Sequence, residues 1–529
     1  MKPGPIDRVM TEASRALRCW CPALLFAGAT ALASCGGGDH GSSGTPPDPP
    51  RGTLLGAPHL VSTVSAADLL QQLGAPANAQ LLLLAGSPVC DIRVYHIEYE
   101  TVGGKGEATT ASAALMVPSG AGTDCHGGRP IVLYAHGTTT DRGFDISNLQ
   151  DSANAEGLLM AAFFASQGDI VVAPNYAGYD TSTLTYHPYL VGDQQSKDMI
   201  DALTAARRAI PAGLLLAADG GELFITGYSQ GGYVAMATQR AMQAAGMTVT
   251  AAAPMSGPYA IAAFVDAVFG GEVNAGAPVF STLMITAYQK SHGDIYQDTT
   301  DIFEAQYASG IDSLLPGTEP RSQLYAEGKL PQYALFSAMP PDPAYAAMTP
   351  ATTPANLAPV FAAGFGDGNL ITNAYRLDYL QDAVAHPDGG WPTLTTGVAA
   401  AAPASPLRAA LKDNDLRDWM PTAPTLLCGG DGDPTVLWLN AELMQDYWAQ
   451  QAPASPLVAV LDVDAAITAN DPYADYKNGF AAAKLLVEAA AVAQGATDGG
   501  AAAVAAAYHS TLVPPFCLVA VRAFFSAHQ

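Results

Sequence analysis

Positive charge is what this chain most lacks. Its 529 residues hold 23 Lys and Arg against 48 Asp and Glu, a formal net charge of −25 and a pI of about 4.5. No Lys/Arg-rich run occurs anywhere. Nucleic acid is therefore excluded as a partner, because nothing would displace counterions from its phosphates. Strongly anionic membrane surfaces should be repelled too. Charged residues of both signs make up only 13%, about half the usual share. No CxxC pair or Cys/His cluster has zinc spacing, so no metal site and no cofactor is expected. GFGDGN and GGDGDP lack both calcium-loop and phosphate-loop spacing and read as turns. No internal repeat is evident. Apolar residues, by contrast, reach 49%, which supplies a sizeable core and argues against wholesale disorder.

Lys2, Arg8, Arg15 and Arg18 precede the apolar stretch CWCPALLFAGATALAS. The stretch is too short to cross a bilayer comfortably and is flanked like a signal peptide. It ends in LASC and runs on into GGGDHGSSGTPPDPP. This resembles a bacterial lipoprotein signal with Cys35 as the lipid-modified residue. Gly36 after it, in place of Asp, implies sorting to the outer membrane. An ordinary secretory signal cut nearby is the alternative. Residues 1–34 are set aside as signal, and 35–53 read as a flexible Gly/Ser/Pro tether. Membrane contact is then through the anchor alone.

Seven cysteines become four once Cys19, Cys21 and Cys35 go to the signal and anchor. Cys90, Cys125, Cys428 and Cys517 are an even set in an exported chain and read as two disulfides. Three connectivities exist. Cys90–Cys125 with Cys428–Cys517 is favoured, because each pair joins neighbouring elements of the layout.

That layout begins with SAADLLQQL, a helix capped by Ser65. A hairpin follows, DIRVYHIEYETV and ATTASAALMVPSG around GGKGE. RPIVLYAHG, DIVVAPNYAGY, ELFIT and TVTAAAPMSGPY are short buried runs. Helical segments separate them: LLMAAFFASQG closed by Gly168, SKDMIDALTAARRAI, and the segment after ELFIT. Strand alternating with helix means a mostly parallel sheet covered on both faces. Residues 54–257 and 416–529 carry this pattern, with APTLLCGG and SPLVAVLDVD as the last strands and FCLVAVRAFFSAH as the final helix. Residues 258–415 are rich in Ala, Pro, Tyr and Phe without alternation, and read as a helical cap inserted into one sheet domain.

ELFITGYSQGGYVAMA contains G-x-S-x-G through Gly227, Ser229 and Gly231. Alone the string is weak. Between a buried strand and a helix starting near Gly232 it marks a nucleophile elbow, where the serine's neighbours must lack side chains. A serine that merely caps a turn is the competing reading. Ser229 needs a base, and on this fold the order is Ser, acid, His. His509, just before the final helix, satisfies that order. His386 precedes every plausible acid, and His528 lies one residue from the end. TLLCGGDGDPTV supplies Asp433, preferred over Asp431 by the G-x-x-D-x-x-V spacing. The oxyanion needs two N–H donors. The Gln230 backbone is one. The Thr138 backbone in HGTTTDRG is the other, with Gly137 as a close alternative. His136 in that loop reads as a loop-stabilising residue.

LYAHGTTT, VVAPNYAGYD, GYSQGG, GGDGDPTV and YHSTLVPP together resemble a secreted α/β-hydrolase of the secretory lipase, or lipase-A-like, family. The resemblance spans most of the chain after Leu54. It implies an α/β-hydrolase fold, hydrolysis of carboxylic esters on a small-molecule or lipid substrate, and a mobile helical cap over an acyl pocket. A serine peptidase or amidase on the same fold and a non-catalytic binding ectodomain are the rival functions. If SPLVAVLDVD is the last strand, a long helical segment must fold aside for His509 to reach Ser229.

Overall fold

Short runs of Val, Ile, Leu and Ala recur between amphipathic segments, and they pair as the strands of one sheet. The computed structural model describes residues 50–529 apart from 76–78, 152–153, 211–216, 393–397 and 454. The signal, Cys35 and the tether as far as residue 49 lie outside the described residues. The strands are β1 (Leu54–Val64), β2 (Asp91–Val102), β3 (Ala108–Ser119), β4 (Gly127–Ala135), β5 (Ile170–Pro174), β6 (Ala217–Tyr228), β7 (Ala251–Met255), β8 (Thr425–Gly429) and β9 (Val458–Asp462). Their order is β1-β2-β3-β5-β4-β6-β7-β8-β9. Pairs from β1 to β5 are antiparallel, and every pair from β5 through β4 to β9 is parallel. β1 has no counterpart in the sequence reading. It is an edge strand with most side chains part-exposed or exposed, so no apolar alternation marks it.

Helices α1 (Ala66–Leu73), α2 (Ala79–Ala85), α3 (Ala155–Phe163), α4 (Gly192–Ala209) and α5 (Gln230–Ala244) precede β7. Ser65 Oγ accepts the Asp68 N–H at the start of α1. Between β7 and β8 lie α6 (Ile261–Phe269), α7 (Ala277–His292), α8 (Ala305–Ala308), α9 (Arg321–Ala326), α10 (Ala358–Ala363), α11 (Asn373–Ala385) and α12 (Pro406–Asp413). α13 (Leu439–Gln451), α14 (Ala474–Ala493), α15 (Ala501–Ala507) and α16 (Val513–Ser526) complete the chain. Alternate residues of β4 serve opposite layers. Ile131, Leu133 and Ala135 join the core under α4, α5 and the insertion. Val132 and Tyr134 join the core under α3 and α16.

The insertion spends scarce cations internally. Buried Arg408 pairs with Asp266 and Asp382, and buried Arg417 with Asp388 and Asp415. Disulfides join Cys90 to Cys125 and Cys428 to Cys517. The second ties β8 to α16. The tether boundary needs correction: Arg51 and Gly52 are already fastened to the sheet domain. Gly52 N donates to Glu100 O at 2.8 Å, and Arg51 Nε donates to Asp201 Oδ2 at 2.9 Å. Gly52 has both its backbone N–H and its carbonyl met by the fold, the carbonyl by Arg208, and Arg51 is held by its side chain, so neither swings as a linker.

Where β6 passes into α5, the backbone leaves no room. Ser229 sits at φ 61° and ψ −122°, a conformation L-residues rarely adopt. A Cβ at Gly227 would meet Gly231 O at 2.3 Å, one at Gly231 would meet Ala135 O at 1.9 Å, and one at Gly232 would meet Met255 O at 2.2 Å. α5 starts at Gln230, two residues before the expected position.

His96 on β2 holds the loop after β5, with Nε2 2.7 Å from Asp180 Oδ2. That hydrogen bond, working against burial, raises the His96 pKa above its ordinary value, helped by the charges of Asp180, Asp145 and Glu98. A raised folded-state pKa gives stability that is full below the unfolded pKa and is lost as pH rises through the folded one. His96→Gln should therefore lower the denaturation midpoint most near about pH 5.5 and progressively less toward about pH 9. An equal loss at both would mean an uncharged pair. At the elbow, Gly231→Ala should cost at least about 3 kcal/mol in denaturant unfolding. A variant as stable as the parent would refute the close approach of β4.

Candidate active site

Ser229 stands at the carboxyl ends of the parallel strands, with its N–H bound to Met255 O at 3.0 Å. His509 reaches it from a single wide helical turn, Tyr508–Leu512, between α15 and α16. His509 Nε2 lies 2.8 Å from Ser229 Oγ, and its Nδ1 lies 2.6 Å from Asp433 Oδ2. Asp433 is buried in the turn after β8, and its other oxygen accepts the N–H groups of Thr435 and Val436 at 2.8 and 3.1 Å. Those bonds fix the carboxylate, so the remaining oxygen faces the imidazole. Tyr228 OH donates to the His509 carbonyl at 2.6 Å, which seats the histidine against β6. The segment between β9 and His509 folds as α14 and α15. These pack on each other and against the wide turn, with α14 also reaching α16, and so leave Ser229 clear.

The alternatives lie elsewhere. The Asp431 N–H donates to Asp462 Oδ1 at 3.1 Å, and burial first, then the charge of Asp464, raises its carboxyl pKa. His386 lies 3.8 Å from Asp382. His528 Nδ1 is 2.8 Å from Phe524 O at the end of α16.

Gln230 begins α5, so its backbone N–H has no intrahelical partner. Its side-chain amide donates to His187 Nε2 at 2.7 Å, while His187 Nδ1 faces Ala177 O at 2.9 Å. Burial drives the His187 pKa down to about 3, so the ring is a neutral acceptor at Nε2. The loop after β4 interlocks with the loop after β5. His136 stacks on Tyr176 with centroids 4.2 Å apart, and its Nδ1 lies 2.7 Å from Gly137 O. Burial lowers its pKa to about 4. Tyr176 OH donates to His136 O at 2.9 Å, and Tyr179 OH to Thr139 O at 2.7 Å. Thr138 Oγ1 and Tyr189 OH are 2.8 Å apart. The Gly137 N–H is not free, because both oxygens of Glu156 lie 3.0 Å from it. Among the described residues the Thr138 N–H has no protein acceptor. Glu156, His187 and Tyr189 were missed by sequence reasoning. Glu156 acts from α3, and His187 and Tyr189 act from the loop between β5 and α4, so no spacing around the serine announces them.

Two cavities meet at Ser229, Phe280 and Thr435. One, about 50 Å³, is walled by Ile261, Phe264, Val265, Val268 and Met284 of α6 and α7. The other, about 450 Å³, contains Thr138, Glu156, Arg321 and His509. Away from both, His96, Asp145 and Asp180 bring ligand-type atoms within 4.8 Å of one another. Three separate segments supply them, so no spacing motif exists. Their atoms are engaged with each other, with Ser112 and Ser147 hydroxyls, and with Asn175.

A prolyl oligopeptidase family profile matches residues 158–269, a span from α3 through the elbow to α6. No curated protein gives a match. A variant of the rice cell wall degrading esterase LipA from Xanthomonas oryzae aligns with 91% of this chain and 100% of its own, at 25% identity and TM-score 0.65. A ligand-bound form of that esterase aligns over the same shares at 24% identity and TM-score 0.64. A putative hydrolase from Legionella pneumophila covers 90% of this chain and 98% of its own, at 20% identity and TM-score 0.61; this match and the ligand-bound form, both under 25% identity, speak for the fold alone. The sheet order, the strained serine turn and these matches give the chain the α/β-hydrolase fold and support a serine hydrolase built on it.

Proposed function

We propose that the protein is a serine carboxylic-ester hydrolase, an esterase or lipase, acting through Ser229, His509 and Asp433. The observation that carries this reading is the unbroken line from Asp433 Oδ2 through His509 to Ser229 Oγ, with contacts of 2.6 and 2.8 Å. Ser229 Oγ attacks the ester carbonyl while its proton passes to His509 Nε2. Asp433 keeps the Nδ1–H tautomer and stabilises the imidazolium. The Gln230 and Thr138 N–H groups receive the oxyanion. His509 then returns its proton to the departing alkoxide as the C–O bond breaks. A water molecule repeats the sequence to release the acid. The reaction needs neither metal nor cofactor.

The narrow apolar cavity beneath α6 and α7 takes the acyl chain, and the wide one takes the alcohol portion. Substrates are neutral small-molecule or lipid esters, since a chain of net charge −25 repels anions at long range. The protein is exported through its amino-terminal signal and is held at the outer membrane by a lipid on Cys35. Both disulfides support an oxidising compartment. The prolyl oligopeptidase match favours one other reading, amide hydrolysis by the same residues.

A p-nitrophenyl ester series from acetyl to palmitoyl, run beside aminoacyl amides, separates the two. We expect ester turnover that peaks between butyryl and octanoyl, with kcat/KM for palmitoyl at least about tenfold lower. Turnover should vanish in folded Ser229→Ala. Turnover of amides without esters would select the second reading. Asp433→Asn should lower kcat by about 10⁴, whereas Asp431→Asn should leave it within about twofold. Equal losses in the two would remove Asp433 from the mechanism.

A further inference from the structure

One carboxylate at the site takes no part in the chemistry above. Glu156 stands on the first turn of α3, behind the loop that follows β4. Both of its oxygens receive the Gly137 N–H, and Oε2 also receives the Tyr134 hydroxyl. A methyl group at Gly137 would lie 2.9 Å from Glu156 Oε1 and 3.7 Å from Ser229 Cβ, so the carboxylate and Ser229 flank the same glycine. Protein wraps the carboxylate on most sides, yet it lines the cavity shared by Ser229, Thr138 and His509.

The placement is costly. Burial raises the carboxyl pKa above its ordinary value, while the bonds from Tyr134 and Gly137 and the charge of His509 oppose the shift. Burying a carboxylate is unfavourable unless its hydrogen bonds are specific. What it gains here is control of two successive peptides. The Gly137 N–H is fixed by Glu156. The carbonyl of the next peptide, Gly137 O, is fixed by His136 Nδ1 at 2.7 Å. Since a trans peptide points its N–H opposite to its C=O, holding both also fixes the direction of the Thr138 N–H.

We propose that Glu156 is a positioning residue for the oxyanion loop: it withdraws the Gly137 N–H and locks the backbone so that the Thr138 N–H is the loop's donor to the oxyanion. This rests on the reading of Ser229 as nucleophile. The helix-dipole role open to any acid in a first turn would affect stability alone, so the test must read chemistry.

Kinetics of Glu156→Ala and Glu156→Gln supply that test, run beside the parent on p-nitrophenyl butyrate and with fluorophosphonate labelling of Ser229. Glu156→Ala should lower kcat about 100-fold with KM within about twofold, the pattern of a lost transition-state contact. Glu156→Gln keeps an oxygen for the Gly137 N–H, so its plateau kcat should stay within about threefold of the parent. If Glu156→Ala does not fold, the kcat of Glu156→Gln decides. A folded Glu156→Ala with kcat within about threefold of the parent overturns the proposal. So does a folded Glu156→Gln whose kcat falls more than about tenfold, because its amide oxygen still accepts the Gly137 N–H. A parent that neither turns over ester nor labels at Ser229 instead defeats the serine-hydrolase reading, and the role of Glu156 falls with it.

Discussion

No carbon atom fits between the turn from β6 to α5 and the strands on either side. The Ala135 carbonyl at the end of β4 occupies the place of a Gly231 side chain, and the Met255 carbonyl at the end of β7 occupies that of Gly232. Two neighbouring strands are thus pressed against the serine turn from opposite sides. The loop leaving β4 must begin beside Ser229, and the Ser229 N–H must find Met255 O. The backbone around the serine is set by steric exclusion before any polar contact is made. The hydrogen bonds then have only orientations to choose.

The other half of the site solves a problem of reach. Asp433 leaves β8, two strands from β6 in the sheet, and His509 arrives after α14 and α15. The Cys428–Cys517 bridge ties β8 to α16, so the strand carrying the acid and the helix following the histidine are fastened together. A cross-link closing so long a stretch removes chain entropy from the unfolded ensemble, worth roughly 2–4 kcal/mol. Tyr228 completes the frame by binding the His509 carbonyl from the serine's own strand.

Much of this was legible in the sequence because it depends on local rules. The elbow announces itself through Gly227 and Gly231, which no other residue can replace. Strand–helix alternation gives the parallel part of the sheet. Asp433 and His509 follow from their order along the chain. What could not be read depends on contacts between distant segments. β1 is an edge strand whose apolar alternation is missing because it lies largely in solvent. Glu156 occupies the Gly137 N–H from a different element, which decides between Gly137 and Thr138 as free donors in a way no spacing could. His187 grips Gln230 across the core. Arg51 is tied to the sheet domain by an ion pair with Asp201, far along the chain. Composition at that point says only Pro, Arg and Gly.

Of the three residues that meet at the site, His509 comes last in the chain and is seated only when α16 lies against β8. Synthesis proceeds amino end first, so Ser229 and Asp433 are both made with nothing yet to connect them. The line from Asp433 to Ser229 is closed only once the chain has run on past both and α16 has docked.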